Sequence, residues 1–317
     1  MPLYYLTEAE VERVLTMELA LDTTAAAFRK LALDEAENLP RQRCRTDNVM
    51  LHVLPAAAKT LGALGFKAYT VSKQDAKFHV TLFDPKEGGV SALVEADLLG
   101  QFRTGAATGV ATKKLARPGA STVGLFGTGK QARTQLLAVG KSLPIKKAHV
   151  YGRDAERRKE FAARMSRETG IEVVPVEKPE EAARGLDVII TATSAKEPVL
   201  FGEWLGEGQH LNLIGSNFLA KSETDPEVFR RAQLVTIDSK EQGKLEAGDI
   251  DLAVKAGAIQ WADVYELAPV LVGKYPGRES PQDVTIFKSL GLGVEDIALA
   301  VKVVELAKAQ GLGRELL

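Results

Sequence analysis

The chain has little of several features that would assign a protein to a class at once. Its 317 residues include one cysteine, Cys44, which rules out an internal disulfide and favours a reducing compartment. The formal net charge is −1, so no basic field favours nucleic acid or an anionic membrane as a partner. No apolar run reaches the length of a membrane span, and the N-terminal residues lack a signal-peptide core. These absences predict a cytoplasmic protein without nucleic-acid or membrane partners.

Histidine is also scarce. The four histidines, His52, His79, His149 and His210, form no i, i+4 pair, so we expect no metal site. The rest of the composition is that of an ordinary globular protein, with 45% hydrophobic and 26% charged residues. The length is sufficient for two domains, each with its own core.

The most informative motif is a strand, a glycine-rich turn and a helix in direct succession. Residues 123–126 have the pattern of a buried strand, followed by a G-x-G-x-x-A turn and a helical run. This is the dinucleotide fingerprint in the context that it requires. The first glycine allows the sharp turn, the second lets the backbone approach a pyrophosphate, and the alanine lets the helix pack closely on the strand, with its free N–H groups facing the phosphates. The predicted cofactor contacts in this motif are Gly127, Thr128, Gly129, Lys130, Gln131 and Ala132.

The same residues allow two other interpretations. One is a structural strand–turn–helix with no ligand. The other is a phosphate-binding loop, since residues 124–130 match G-x-x-x-x-G-K. Gln131, however, stands where a serine or threonine would hold magnesium, and no clear Walker B acid follows an apolar strand. The dinucleotide interpretation is therefore favoured.

The hydrophobic pattern divides the chain into two parts. The first third is rich in strands, with helices expected over 17–37 and 104–116 and no βαβ alternation. From Ser121 onward strands alternate with helices, which indicates a parallel sheet covered on both faces. The predicted fold class is α/β, with a doubly wound Rossmann domain and a second, strand-rich α+β domain. A final helix over about 294–308 could return to that second domain.

The residues after the second Rossmann strand indicate which nicotinamide cofactor is bound. An acid directly after this strand would bond both ribose hydroxyls and repel a 2′-phosphate. Gly152 fills that place and Arg153 follows, which leaves room for a phosphate and supplies a guanidinium. Asp154 either caps the next helix or reaches a ribose hydroxyl, and Arg157 and Arg158 either assist or form a solvated helix face. The pattern favours NADP(H) and leaves NAD(H) open.

Segments spread over nearly the whole chain carry a family resemblance. They are residues 54–56, 64–67, 103–107, 127–132, 191–193, 197–199, 202–205, 208–215, 287–291 and 295–296. Together they resemble the ornithine cyclodeaminase/μ-crystallin family, which also contains archaeal alanine dehydrogenase and cyclic ketimine reductases. The resemblance implies a substrate and dimerisation domain (1–118 with 293–317), a Rossmann domain (119–292), an active site between them and a homodimer.

The resemblance also implies roles for three basic residues, Arg41, Lys67 and Arg103, as ligands of an amino- or imino-acid substrate. Lys67 lies in an apolar strand setting and Arg103 opens a helix of small residues, and charges in such places are usually paired. We expect Arg103 to bind the substrate carboxylate and Lys67 to act near the imine as proton donor. The alternative is an internal salt bridge for each. For Arg41, alternation with Arg43 and Arg45 leaves the strand register open.

The main departure from the family is Asn217, where ornithine cyclodeaminases and alanine dehydrogenase carry aspartate. A carboxylate could activate water or shuttle a proton, whereas an amide can only hydrogen-bond and orient a ligand. Asn217 therefore remains a candidate catalytic residue, but it disfavours cyclodeamination. Further cofactor contacts are expected at Thr191, Ala192, Thr193, Ser216, Asn217, Ser289 and Gly291.

Taken together, the residues and the resemblance predict an NADPH-preferring reductase of small cyclic imino acids, such as Δ1-pyrroline-2-carboxylate, that yields L-amino acids. The alternatives are an L-alanine or other L-amino-acid dehydrogenase, an opine-type dehydrogenase, an ornithine cyclodeaminase, and a μ-crystallin-like protein that binds NADPH without turnover. Lys67 and Arg103 argue against the last, because a protein that only binds a cofactor needs no carboxylate clamp.

Overall fold

A computed structural model describes residues 2–316, and the chain divides into two compact units. Unit 1 comprises the chain up to Ala106 together with the segment from Gly291, and unit 2 comprises Ala107–Leu290. The strands are β1 (Leu3–Leu6), β2 (Ala36–Asn38), β3 (Gln42–Arg45), β4 (Met50–Ala58), β5 (Ala63–Val71), β6 (Ala76–Phe83), β7 (Val90–Glu95), β8 (Thr122–Phe126), β9 (Lys147–Tyr151), β10 (Glu172–Pro175), β11 (Val188–Thr191), β12 (His210–Leu213), β13 (Leu234–Ile237), β14 (Val264–Glu266), β15 (Thr285–Lys288) and β16 (Arg314–Leu316). The α-helices are α1 (Glu8–Val14), α2 (Met17–Ala32), α3 (Asp97–Leu115), α4 (Lys130–Ser142), α5 (Ala155–Thr169), α6 (Pro226–Arg230), α7 (Lys240–Glu246), α8 (Gly248–Lys255), α9 (Leu267–Leu271) and α10 (Gly293–Ala309).

Unit 1 is built on a mostly antiparallel sheet. The strand order is β16-β1-β7-β6-β5-β4-β2, with β3 also paired to β4, and β1 runs parallel to β7. One face of the sheet is covered by α10, which packs on β4 and β5 and on α2. Leu54, Lys67 and Val80 are cross-strand partners and all are buried, so this otherwise apolar row contains one amine. The first turn of α10 adds two buried acids, Glu295 and Asp296.

Unit 2 is the predicted Rossmann domain. Its strands are all parallel, in the order β10-β9-β8-β11-β12-β15-β13-β14. Apolar side chains alternate between two separate cores, one around Leu136 and Phe161 and one around Leu211 and Ile250. This is the two-faced burial expected of a parallel sheet covered on both sides. All carboxyl ends of the strands meet at one edge, where doubly wound proteins bind their ligands.

Several predicted boundaries were wrong. The helix expected over 17–37 ends at Ala32, because Asp34 adopts a left-handed φ of 58° and β2 begins two residues later. The helix expected from residue 104 begins at Asp97, where the Glu8 carboxylate accepts the N–H groups of Asp97 and Leu98. The alternation of strands and helices after Ser121 predicts a helix between β10 and β11, but the structure has only a short 3₁₀ turn there, Pro179–Ala182.

One strand was also not anticipated. β15 lies between β12 and β13, although it follows β13 by nearly fifty residues in the sequence, and no strand was predicted there. The two units divide within α3 and before α10, whereas the sequence places the domain boundaries at 118/119 and 292/293. Within residues 2–316, no helix is long and apolar enough to cross a membrane, and no cluster of three metal-binding side chains occurs.

Candidate functional site

The carboxyl edge of the unit 2 sheet contains a cleft of about 1340 Å³. Three segments line it: residues 126–131 after β8, residues 151–157 after β9, and residues 192–199 after β11. Ligand pockets commonly occupy about 300–1,000 Å³, so an extended dinucleotide can be accommodated. The predicted residues that line the cleft are Gly127, Thr128, Gly129, Lys130, Gln131, Gly152, Arg153, Asp154, Ala192 and Thr193.

The glycine turn has the shape that the fingerprint requires. Gly127 has a φ of 118°, and a Cβ there would collide with the carbonyl oxygen of Ala192, so only glycine fits. A Cβ at Gly129 would meet no protein atom within 4 Å, so its backbone is open to a ligand. Gly129 is also the N-cap of α4, whose first N–H groups have no partner within the helix. These features fit a pyrophosphate at the start of α4.

The residues after β9 have different roles. A Cβ at Gly152 would lie 2.9 Å from the Thr128 side chain, so this glycine is needed for packing as well as for space near a ribose. Asp154 caps α5, since its Oδ1 accepts the Arg157 N–H at 3.0 Å, while Arg153 is exposed in the cleft. Arg158 does not line the cleft. It is buried, donates to the Gly152 carbonyl at 2.6 Å and stacks over Tyr151.

The other predicted cofactor residues lie outside the lining of this cleft, most of them at neighbouring strand ends. Ala132, in the first turn of α4, packs in the core, and Thr191 closes β11. Ser216 donates to the Lys221 carbonyl at 2.6 Å, and half-buried Asn217 follows it in the loop after β12. Ser289, after β15, donates to Asp238 at 3.3 Å.

Unit 1 contains a buried charge cluster formed by Lys67, Arg103, Glu295 and Asp296. Lys67 Nζ lies 2.9 Å from Asp296 Oδ1, and the same oxygen accepts Arg103 Nε at 3.0 Å. Arg103 Nη1 lies 3.0 Å from Glu295 Oε2. The internal salt bridges weighed from the sequence are therefore present, and Asp296 joins the two cations. Gly100 allows the approach, because a Cβ there would lie 2.5 Å from Lys67 Nζ.

Burial changes the acidity of this cluster. It lowers the pKa of Lys67 from 10.5 to about 8; Arg103 and Arg41 act in the same direction and Asp296 opposes them. For Arg103, burial also lowers the pKa, but Asp296 and Glu295 outweigh it and the pKa lies above its ordinary value. Arg103 is thus a permanent cation, whereas Lys67 exchanges its proton near neutral pH.

Two further features surround the cluster. Arg41 is buried, and its Nη2 lies 3.5 Å from the carbonyl oxygen of Gly291. Gly291 has a φ of 81°, and a Cβ there would collide with the Arg103 guanidinium. The predicted residues Arg41, Lys67, Arg103 and Gly291 therefore lie in one region of unit 1.

A row of aromatic rings flanks Lys67. His52 stacks on Tyr69 with centroids 4.2 Å apart, and Tyr69 stacks on Phe78. Lys67 Nζ lies 5.4 Å from the Phe78 ring centroid. Burial, together with Arg43 and Arg41, lowers the pKa of His52 to about 4, so its imidazole is neutral at physiological pH.

Glu295 and Asp296 belong to the cluster although the sequence indicates no role for them. The available signal is two adjacent acids at the start of an almost wholly apolar helix, where a buried charge requires a partner. The partners themselves lie about 190 and 230 residues earlier in the chain. No periodicity connects residues so far apart.

Comparisons with known proteins agree with this architecture. The sequence profile of the Ornithine cyclodeaminase/mu-crystallin family matches residues 4–311. Alanine dehydrogenase of Archaeoglobus fulgidus is 33% identical over 317 aligned positions, covering 98% of this chain and 97% of the relative. The structure of Thermococcus litoralis Δ1-pyrroline-2-carboxylate reductase in complex with NADH and L-proline superimposes with a TM-score of 0.95, at 35% identity, covering 99% of this chain and 100% of that one. An archaeal alanine dehydrogenase dimer with bound NAD gives a TM-score of 0.94, at 33% identity, covering 100% and 99%.

Proposed function

Because the chain belongs to the ornithine cyclodeaminase/mu-crystallin family, we propose that it reduces small cyclic imino acids to L-amino acids. The chain is an NAD(P)-dependent oxidoreductase that acts on C=N or CH–NH bonds, as its relatives are. The substrate class proposed here is that of Δ1-pyrroline-2-carboxylate and its six-membered homologue. The observation that carries the proposal is the buried Lys67, with a pKa of about 8, bound to Asp296 beside Arg103.

Each residue of the cluster has a defined task in this reaction. The bound cofactor would supply the hydride that reduces the imine carbon. Arg103, with Arg41 nearby, would hold the substrate carboxylate. Lys67 would donate the proton that the imine nitrogen needs, and a pKa near 8 suits a general acid at neutral pH. Asp296 would keep Lys67 in place and raise its pKa, which offsets part of the effect of burial.

Asn217 supports reduction of a preformed imine over cyclodeamination. Cyclodeamination requires oxidation of an amine and loss of ammonia before the ring is reduced, and its proton transfers call for a base. An amide cannot accept a proton at neutral pH. Simple imine reduction needs a hydride, a bound carboxylate and one proton, which Lys67 can provide.

The second candidate is L-alanine dehydrogenase activity. The Archaeoglobus fulgidus relative favours it, because the alignment covers nearly the whole of both chains. Asn217 argues against a copy of that mechanism, because an amide cannot transfer a proton as an aspartate would. A homodimer is proposed by analogy with the archaeal alanine dehydrogenase dimer.

NADP(H) is the proposed preferred cofactor, although the two similar structures contain NADH and NAD. Asp154 is engaged as the cap of α5, so it is not positioned to repel a 2′-phosphate in the way that an acid directly after β9 would. Arg153 is exposed at the rim of the cleft and can bind such a phosphate.

The test is the loss of reduced-nicotinamide absorbance with purified protein. NADPH and NADH are each supplied with Δ1-pyrroline-2-carboxylate, with Δ1-piperideine-2-carboxylate, or with pyruvate plus ammonia. Faster loss with a cyclic imine and NADPH is the expected result. Turnover only with pyruvate and ammonia would replace the proposal with alanine dehydrogenase. Cofactor binding without turnover on any pair would contradict the proposed reductase.

A further inference from the structure

Glu223 is a buried acid of unit 2 to which sequence analysis gave no role. Its side chain is inaccessible to solvent, and its two oxygens accept four hydrogen bonds. Oε1 accepts the N–H and the hydroxyl of Thr193, both at 2.7 Å. Oε2 accepts the Thr191 hydroxyl at 2.8 Å and the Gly215 N–H at 2.7 Å. A single carboxylate thus binds the chain just after β11 and just after β12.

The two segments can approach this carboxylate only because of a glycine. A Cβ on Gly215 would collide with the Thr193 carbonyl and with Glu223 Oε1. The space between the two strand ends is therefore filled by the Glu223 carboxylate itself. Thr193 also lines the dinucleotide cleft, so Glu223 binds a residue of the cleft wall through two hydrogen bonds.

A second buried acid holds Glu223 in turn. Asp249 Oδ1 accepts the Glu223 backbone N–H at 2.6 Å and the Ser222 hydroxyl at 3.0 Å. Asp249 Oδ2 pairs with Lys288 Nζ at 2.7 Å, and Lys288 also donates to the Ser216 carbonyl at 2.7 Å. Lys288 is the last residue of β15. The network therefore connects the carboxyl ends of three adjacent strands, β11, β12 and β15.

Two acids and one lysine buried together are costly for stability alone. Burial and the nearby Asp249 raise the pKa of Glu223, which opposes its ionised form. Replacement of buried ionic groups by apolar ones is often neutral or stabilising. A role in fixing geometry accounts for such a network better, and this network lies at the edge where doubly wound domains bind dinucleotides.

We propose that Glu223 is a positioning residue that sets the spacing of the β11 and β12 loops for the nicotinamide half of the cofactor. The inference rests on the nicotinamide cofactor of the proposed function but not on its substrate. In a doubly wound sheet the strands on the β9 side contact the adenosine half, and those on the β11 and β12 side contact the other half. Loss of Glu223 should therefore affect the two halves of the cofactor unequally.

The experiment compares ligands that differ only in the nicotinamide. Dissociation constants are measured for NADPH, by fluorescence titration, and for 2′-phospho-ADP-ribose, by calorimetry. NADH and ADP-ribose serve as a second pair. Glu223→Gln replaces one side-chain oxygen with an amide NH₂ group. This group faces hydrogen-bond donors and cannot accept from them. We expect the dissociation constant for NADPH to rise about tenfold or more and that for 2′-phospho-ADP-ribose to change less than about twofold.

Two further variants control for folding and charge. Thr191→Val removes one of the four hydrogen-bond donors with little change in shape. It should show the same unequal effect on the two ligands, with the dissociation constant for NADPH raised about threefold. Glu203→Gln removes an exposed acid of the same unit and should change neither affinity. The proposal would be overturned if Glu223→Gln lowered the melting temperature and either weakened the binding of both ligands equally or changed the binding of neither. If the wild type binds NADPH but reduces no imine, the proposed reductase fails while the ratio of affinities still decides the role of Glu223.

Discussion

The two candidate ligand sites of this protein are built from different parts of the chain. The dinucleotide cleft of unit 2 uses backbone: two glycines, the N-terminus of α4 and the loop after β11. The cluster of unit 1 uses buried side-chain charges that neutralise one another. The glycine turn of the cleft and the start of α4 are encoded locally, within residues 127–132. A charge cluster depends on residues that are distant in the sequence, and its removal should affect the chemistry and the fold together.

The largest effect is expected for Lys67→Met, which removes the proposed proton donor from the unit 1 cluster. Imine reduction should fall about 10²–10⁴-fold while the cofactor dissociation constant stays within about twofold. In the wild type, kcat/KM for reduction should decline above about pH 8, because Lys67 loses its proton there. Steady-state rates over a pH series measure both. Lys77→Met, an exposed lysine on β6, is the matched control. Retention of full activity in Lys67→Met would remove Lys67 from the mechanism.

Asp296→Asn tests whether the charges of the cluster depend on one another. It leaves Lys67 and Arg103 buried with less compensation, which should lower the free energy of unfolding by about 3–5 kcal/mol. Because Asp296 raises the pKa of Lys67, the decline of activity with pH should also begin below pH 8. Denaturant unfolding and a pH profile are the measurements. Glu305→Gln disrupts an exposed pair on the same helix and should change stability by at most about 1 kcal/mol. An unshifted pH profile in Asp296→Asn contradicts the coupling.

The two glycines of unit 2 provide the corresponding test of a backbone site. In Gly127→Ala the new Cβ meets the Ala192 carbonyl at a φ of 118°, so both stability and cofactor affinity should fall, with about 1–3 kcal/mol of strain. In Gly129→Ala the new Cβ meets no protein atom within 4 Å, so the melting temperature should not change. The cofactor affinity should fall about tenfold, because the Cβ occupies space that is open to the ligand. Thermal unfolding without ligand and cofactor titration separate the two. Equal stability losses in both variants would contradict this account.

The smallest effect is expected for Arg153→Ser. The side chain is exposed, so its pairing with a 2′-phosphate is screened by solvent and salt. The ratio of kcat/KM for NADPH to that for NADH should fall about two- to fivefold. Arg167→Ser removes an exposed charge from the last turn of α5 and should leave the ratio unchanged. If this ratio did not change in Arg153→Ser, Arg153 would not be a ligand of the 2′-phosphate.

The same contrast explains how much of the fold and of the two sites can be predicted from the sequence. The strand before Gly127, the turn and α4 were predictable, because strand, turn and helix signals follow one another within twenty residues. The insertion of β15 between β12 and β13 was not, since strand order depends on long connections rather than on local pattern. Asp296 and Glu223 were missed for a related reason. Their partners lie on other elements, and an isolated acid in the sequence carries no sign of what it binds.

The order in which the two units can fold during synthesis follows from the interrupted course of unit 1. Unit 2 is one continuous segment, so it can fold as soon as Leu290 has left the ribosome. Unit 1 at that moment lacks α10, which covers its sheet, and lacks the two acids that α10 brings to Lys67 and Arg103. A nascent chain is therefore expected to complete unit 2 before Lys67 and Arg103 gain their acidic partners. A chain that ended between Leu290 and α10 would contain all of unit 2 but would lack the helix that covers one face of the unit 1 sheet.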